Sequence, residues 1–293
     1  MSVLPVLKFI TNHPLNRNHK FRAIWRFVKW QINVRLNPYP IIYPFTEKAK
    51  LAIQRGMTGA TGNLYCGLHE FDSMSFLLHF LREGDGFGDI GANVGSFTML
   101  ASAHCGATSI CVEPVPTTYA GLVRNIYVNQ INDKVTSYNV AMGSQEGFID
   151  FTNSLDTMNH VAKQEGPGTF KVKVETLDGI LQKRQVPNLL KIDVEGFETE
   201  VVRGASWTLQ QNELKAIIIE LPGVGARYGY DESKIHDTFI QAGFGAYEYF
   251  PWERRLMGIE KFGGYNTIYI RDIDFVKDRL ITAPKFKVLN FEI

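Results

Sequence analysis

Residues 85–103, DGFGDIGANVGSFTMLASA, limit the possible folds more than any other stretch. Phe87 and Ile90 belong to a short apolar run that ends in Asp89 and Gly91, and beyond Gly95 the residues Phe97, Leu100 and Ala101 recur at helical spacing. This pattern predicts a strand, a glycine turn and a helix. Glycine admits positive φ and lets a ligand approach the backbone, and the helix start offers unpaired N–H groups. A second apolar run, 109–112, ends in Glu113. A carboxylate at the end of the second strand of such a unit is placed to accept both hydroxyls of a ribose.

The glycine spacing is not that of a dinucleotide turn, G-x-G-x-x-G. Here the order is Asp89-x-Gly91-x-Asn93-x-Gly95. Asp89 would repel a pyrophosphate and suit a cationic ligand. The stretch resembles motif I of class I S-adenosylmethionine-dependent methyltransferases. That resemblance implies S-adenosyl-L-methionine as cofactor, leaving as S-adenosyl-L-homocysteine. Its expected contacts are Asp89, Gly91, Asn93, Gly95, Ser96, Phe97, Glu113, Pro114, Ala141 and Asp193, with small residues at Ala141 and Gly143 leaving room for adenine against backbone.

A chain of 293 residues holds one large domain, or one domain with an extension. No apolar stretch is long enough to span a bilayer. The N-terminus lacks the long apolar core and cleavage site of a signal peptide. Cys66, Cys105 and Cys111 are odd in number and lack metal spacing, which predicts free thiols and a reducing, cytoplasmic location. Net charge is +1 but unevenly spread. Residues 1–46 carry Lys8, Arg17, Lys20, Arg22, Arg26, Lys29 and Arg35, and no acid. Within this arm Phe21, Trp25, Val28 and Ile32 share one helical face, and Arg22, Arg26 and Lys29 another. The main expectation is a helix docked on the domain with its basic face in water. The alternative is a basic amphipathic helix that meets an anionic membrane surface or an acidic partner. Nucleic acid is disfavoured because the rest of the chain offers no basic stripe.

Residues 41–45 and 51–54 read as a small hairpin, and 58–67, rich in Gly and Thr, as a loop. A helix is predicted over 70–81, with Phe71, Met74, Leu77, Leu78 and Leu81 inside. Tyr65 and Glu70 are either site residues or a packing aromatic and a first-turn acid. Strands follow at 135–140, 146–151 and 170–174. The polar segment 152–168 carries His160, either an acid–base residue or an inert exposed histidine.

The second constellation is 188–205, NLLKIDVEGFETEVVRGA. Leu189–Ile192 reads as a buried strand, Asp193 ends it, and Glu195 and Gly196 open a helix. Ligands in open α/β sheets bind beyond the carboxyl ends of the strands, so Asp193 and Glu195 point to the crevice lined by Gly91 and Glu113. The competing readings are carboxylates taken up by backbone N–H groups at the helix start. A fifth strand, 216–219, brings Glu220 to the same crevice. Residues 222–230 read as a lid or a plain connection, and 233–243 as a helix. The last strands, 244–250 and 267–270, form an antiparallel pair. Trp252, Arg254 and Arg255 between them are candidate substrate contacts, and 276–293 has no assigned place.

K-I-D-V-E-G-x-E, with V-x-x-G-A downstream, resembles the hallmark segment of the FkbM family of methyltransferases. DIGANVGSFT, VEPVPTTYAGLVRNI, and Ala141-Met142-Gly143 with Glu146-Gly147 are similar to that family's other motifs in the same order, over about residues 71–220.

The fold class is α/β. The resemblance implies a Rossmann-like class I methyltransferase: a seven-stranded, mostly parallel sheet, its last strand antiparallel, with helices on both faces and an N-terminal helical extension. The expected division is a basic arm 1–46, a cap segment 47–83, a methyltransferase domain 84–272 and a tail 273–293. The expected reaction is transfer of a methyl group to a hydroxyl oxygen of a small molecule, sugar or natural product. A hydroxyl has a high pKa, so a base or a metal must help take its proton. Asp193, Glu195, Glu220 and His160 are the candidate bases. A divalent metal among the three carboxylates is the less favoured alternative. Two other classes stay open: a non-catalytic S-adenosylmethionine-binding scaffold, and a nucleotide-dependent oxidoreductase, against which the glycine spacing argues.

Overall fold

The computed structural model describes residues 3–152, 161, 169–263 and 265–293. Helices α1 (Val3–Asn12) and α2 (Lys20–Leu36) form a hairpin. Asn16 holds its turn, donating from its amide to the Ile10 and Tyr65 carbonyls. α2 docks through Ala23 and Trp30. Arg26 also turns inward, donating to the Tyr65 carbonyl (2.8 Å) and to Asn16 Oδ1 (2.5 Å). The orientation departs from the sequence expectation: a basic side chain faces the domain, and Phe21, Trp25, Val28 and Ile32 face solvent.

β1 (Ile41–Pro44) and β2 (Lys50–Ile53) pair as the expected hairpin. The Gly- and Thr-rich stretch read as a loop is instead a helix, α3 (Thr58–Cys66). Weak propensity is overridden by burial there. Asn63 ties the helix in place, donating to Gly59 O and Ser96 Oγ and accepting from the His69 amide. Tyr65 is a packing residue: its carbonyl receives Asn16 and Arg26, and its hydroxyl receives Gln31. α4 (Phe71–Phe80) is buried around most of its circumference.

The chain then runs through β3 (Gly86–Ile90), α5 (Ser96–Met99) with a π turn over Leu100–His104, β4 (Thr108–Val112), α6 (Pro116–Val128) and β5 (Val135–Tyr138). A small sheet follows, ordered β6-β8-β7, from β6 (Ala141–Met142), β7 (Gly147–Thr152) and β8 (Thr169–Glu175). Next come α7 (Leu177–Leu181), β9 (Leu189–Ile192), α8 (Glu198–Arg203), β10 (Ala216–Glu220), α9 (Ser233–Gln241), β11 (Gly245–Phe250), β12 (Arg255–Gly258) and β13 (Asn266–Ile270). The end of the chain is α10 (Ile273–Thr282) and a hairpin of β14 (Lys287–Val288) and β15 (Phe291–Glu292).

Among the described residues the main sheet is ordered β12-β11-β13-β10-β9-β3-β4-β5. β3, β4, β5, β9 and β10 are parallel, and β13 is antiparallel to both its neighbours. All seven expected strands are present, and β12 adds an eighth at the edge. Side chains alternate between two cores: Ile217 and Ile219 of β10 join one, Ala216 and Ile218 the other.

Register builds the site. Ile90 is level with Val112 and with Ile192, and Ile192 with Ile219. The next residues of those strands, Gly91, Glu113, Asp193 and Glu220, therefore emerge along one edge, where the strand order reverses.

The C-terminal segment is part of the packed structure. Val276, Leu280, Phe286, Val288 and Ile293 are buried, and Arg279 pairs with Asp85. Arg254 and Trp252, candidate substrate contacts in the sequence, serve this segment instead. Arg254 donates to the Leu280, Ile281 and Ala283 carbonyls, and Trp252 packs on Phe71 and Phe291. Arg255 pairs with Glu253 and lies over Phe250.

Candidate active site

A cavity of about 730 Å³ opens beyond the carboxyl ends of β3, β4, β9 and β10. Its floor is the glycine turn. Gly91 sits at φ +83°, and a Cβ there would lie 1.8 Å from the Asp193 carbonyl oxygen. The amides of Gly91 and Ala92 both donate to the Val112 carbonyl, at 3.0 and 2.9 Å. Asn93 also has positive φ, +51°, and its amide donates to Glu113 Oε2 at 3.0 Å. Val115 N–H donates to Glu113 Oε1 at 3.0 Å.

Glu113 is buried, and burial pushes its carboxyl up to about 7 against the pull of those two donors. An ionised carboxylate offers about four acceptor positions, so capacity remains for two hydroxyls. Beside it Pro114, Val115, Ala141 and Phe151 form an apolar wall. Ser96 and Phe97 also line the cavity. Gly95 lies behind it, where a Cβ would meet Leu122 Cδ1 at 2.5 Å. Asp89 is on the cavity floor but is occupied: one oxygen accepts from the Thr98 amide (3.1 Å) and hydroxyl (2.6 Å). Burial raises it to about 6, with Lys191 opposing.

The opposite wall carries the acids. Lys191, buried in β9, places Nζ 2.7 Å from Asp193 Oδ2 and 4.7 Å from the centre of the Phe97 ring. Burial opposes its charge, but Asp193, Glu70 and Asp89 outweigh that and hold the ammonium above the usual lysine range. Glu220 is pushed up to about 8, first by burial, then by the charge of Asp193, to which its carboxyl is hydrogen-bonded. Near neutrality the Asp193–Glu220 pair therefore holds one shared proton. One ammonium and one shared proton relieve the repulsion of the converging carboxylates. Glu195, at φ +55°, is raised to about 7 by burial and then by Asp193.

The helix start corrects one expectation. Its backbone amides are taken by neither Asp193 nor Glu195 but by Glu198, whose Oε1 accepts from Val194 (3.0 Å) and Gly196 (3.1 Å). Glu198 and Lys191 bound the K-I-D-V-E-G-x-E motif, and a lysine inside the apolar run LLKI signals a buried partner. Asn266 had no sequence signal. It reaches the cavity because β13 sets it level with Glu220, and its amide donates to Glu70, which also lines the cavity. His69, equally unannounced, lies on the same wall against Phe9. None of residues 222–230 lines the cavity; Tyr228 and Tyr230 pack on Phe197, which does. His160 lies outside the described residues.

These ionisations make stability pH-dependent. Glu113, Glu195 and Glu198 titrate at about 7 and Glu220 at about 8 when folded, against about 4.3 for an unfolded glutamate. The folded protein binds more protons than the unfolded chain in that interval, so their contribution is full below it and is lost as pH rises through 7 to 8. His13, His79 and His104, lowered to about 4 chiefly by burial, act oppositely, but only below about pH 6.5. The Tm of the ligand-free protein is expected to fall between about pH 6.5 and 8.5. A rise over that range in a thermal melt series would contradict these assignments.

Comparison with known proteins bears on this site. The model of the methyltransferase FkbM domain matches residues 89–244. Hexuronic acid methyltransferase AglP of Haloferax volcanii is 29% identical over 154 residues, covering 52% of this chain and 62% of that protein. Methyltransferase 1 of Beauveria bassiana is 28% identical over 163 residues, covering 45% of this chain and 63% of that protein. The chain thus spans under two thirds of the length of either curated relative. Among solved structures, precorrin-6y C5,15-methyltransferase of Geobacter metallireducens aligns with 69% of this chain and 86% of its own, at 12% identity and a TM-score of 0.41.

Proposed function

The chain belongs to the FkbM methyltransferase family, and on that premise we propose that it transfers the methyl group of S-adenosylmethionine to a hydroxyl oxygen of a sugar or sugar-containing molecule. The observation that carries this reading is the pairing of Glu113 on one wall of the cavity with the Asp193–Glu220 pair on the other.

The residues suit the cofactor. Glu113 lines the cavity, and each of its oxygens accepts one backbone amide, which leaves acceptor capacity suited to ribose hydroxyls. The wall of Val115, Ala141 and Phe151 suits an adenine ring. The carboxylates around Lys191 suit the cationic end. The volume lies within the range of small-molecule sites. When bound, S-adenosylmethionine supplies an electrophilic methyl group.

The protein's part is to hold the acceptor oxygen in line and to remove its proton. A carboxyl at about 8 is a far better base once ionised than one at about 4, and still reachable near neutrality. We assign proton removal to the Asp193–Glu220 pair. Lys191 fixes Asp193, and Glu70 and Asn266 shape the acceptor side.

Haloferax AglP is described as acting on hexuronic acid, and such a sugar offers both hydroxyls and a carboxylate. The acid-rich wall here favours the neutral hydroxyl over an anionic carboxylate. The test is incubation with methyl-labelled S-adenosylmethionine and a panel of uronic and neutral glycosides, with products located by mass spectrometry. An alkali-stable methyl ether supports the reading. An alkali-labile methyl ester, or label on nitrogen, would overturn it.

A further inference from the structure

The exposed large apolar side chains of this protein concentrate in residues 3–42. α2 has two apolar faces. One, with Ala23, Phe27, Trp30 and Val34, packs on the domain core. The other, Phe21, Ile24, Trp25, Val28, Ile32 and Leu36, repeats every three or four positions along the helix and faces solvent. Phe21 is 84% exposed, Trp25 59% and Leu36 79%. A surface helix ordinarily buries its apolar stripe and shows water its charges. Here the core-facing stripe is already satisfied, and a second one points outward beside exposed Arg22, Lys29 and Arg35. A contiguous apolar strip rimmed by charge marks an interaction surface.

The charges select the occupant. Residues 1–46 carry seven cations (Lys8, Arg17, Lys20, Arg22, Arg26, Lys29 and Arg35) and no acid. A second copy seated face to face would set the same cations against one another. An anionic lipid surface satisfies both features, accepting the apolar stripe into its acyl boundary and the flanking cations at its headgroups. Trp25 and Tyr39, both exposed, are the amphipathic aromatics suited to that depth. Among the described residues no helix is long and apolar enough to cross a membrane, so docking would lie in the plane of the surface. Val3 and Leu4 of α1 are exposed as well. Its Phe9 also lines the cavity.

We propose that α1 and α2 dock this protein on an anionic lipid bilayer through the outward stripe of α2. The proposal does not rest on the assigned reaction. The test is co-sedimentation of the full chain with phosphatidylcholine vesicles, with and without phosphatidylglycerol. Two variants accompany it, F21S/W25S/I32S and R22Q/K29Q/R35Q. All six positions are exposed, so both variants are expected to keep the wild-type melting temperature, which is checked first. Wild-type protein is expected to bind phosphatidylglycerol vesicles, with its tryptophan emission shifting to the blue, and to release in about 0.5 M salt. The charge variant should partition on the order of a hundredfold less, and the apolar variant at least about tenfold less. Failure of the wild type to bind, or unchanged binding by the apolar variant, would overturn the proposal. So would a wild-type dimer that the apolar variant dissociates in sedimentation velocity, since a second copy would then cover the stripe.

Discussion

Glu220→Gln is expected to lower turnover by about 10²–10⁴-fold while S-adenosylhomocysteine affinity is kept. The substitution preserves shape and the hydrogen bond to Asp193 but removes the group that titrates at about 8. Wild-type turnover should therefore rise with pH and level off above about 8 as the pair loses its proton. The variant should lose that rising limb. Asp193→Asn is the less clean probe, because it also strips Lys191 of the carboxylate 2.7 Å from its ammonium and leaves a buried charge unpaired. Rates of labelled methyl transfer across pH, measured in wild type and E220Q, decide the matter. An E220Q enzyme with wild-type turnover and an unchanged profile would place the base elsewhere, with Glu195 next in line.

Gly91→Ala should destabilise the fold severely, by roughly 3–5 kcal/mol. Two causes add. Positive φ alone costs an L-residue about 1–2 kcal/mol, and at Gly91 it is +83°. The new Cβ would also fall 1.8 Å from the Asp193 carbonyl oxygen, a backbone atom that cannot swing aside. Gly84 separates the two effects: its φ is +87°, and nothing lies within 4 Å of the Cβ position. Gly84→Ala should cost only the conformational part, about 1–2 kcal/mol. Urea midpoints of the two variants test this. Equal losses would mean that the close approach of the β3 turn to the end of β9 has no weight.

Much of this was legible from residue patterns. The strands β3, β4, β9 and β10 announce themselves as short apolar runs, and the residue at or just past the end of each, Gly91, Glu113, Asp193 or Glu220, is where chemistry collects in an open sheet. What escaped depends on long-range packing. α3 forms from a sequence with poor helix propensity because Asn63 and burial hold it. α2 carries two apolar faces, and its periodicity does not say which one docks; the outward stripe and the inward Arg26 follow from the fit of Trp30 and Asn16 to the domain. Asn266 reaches the site only through the register of β13 on β10. The pairing of Lys191 with Asp193 is local, two residues apart across the end of β9, yet its importance shows only when Glu220 arrives from another strand.

In the proposed function this cavity holds S-adenosylmethionine, with Glu113 on its ribose. Isothermal calorimetry with S-adenosylhomocysteine, on wild type and Glu113→Ala, tests it most directly. One-to-one binding to the wild type is expected. The variant is expected to lose about 1.5–3 kcal/mol, roughly ten- to 150-fold, for hydrogen bonds to a charged group. A wild type that ignores S-adenosylhomocysteine, or prefers NADH, would contradict it.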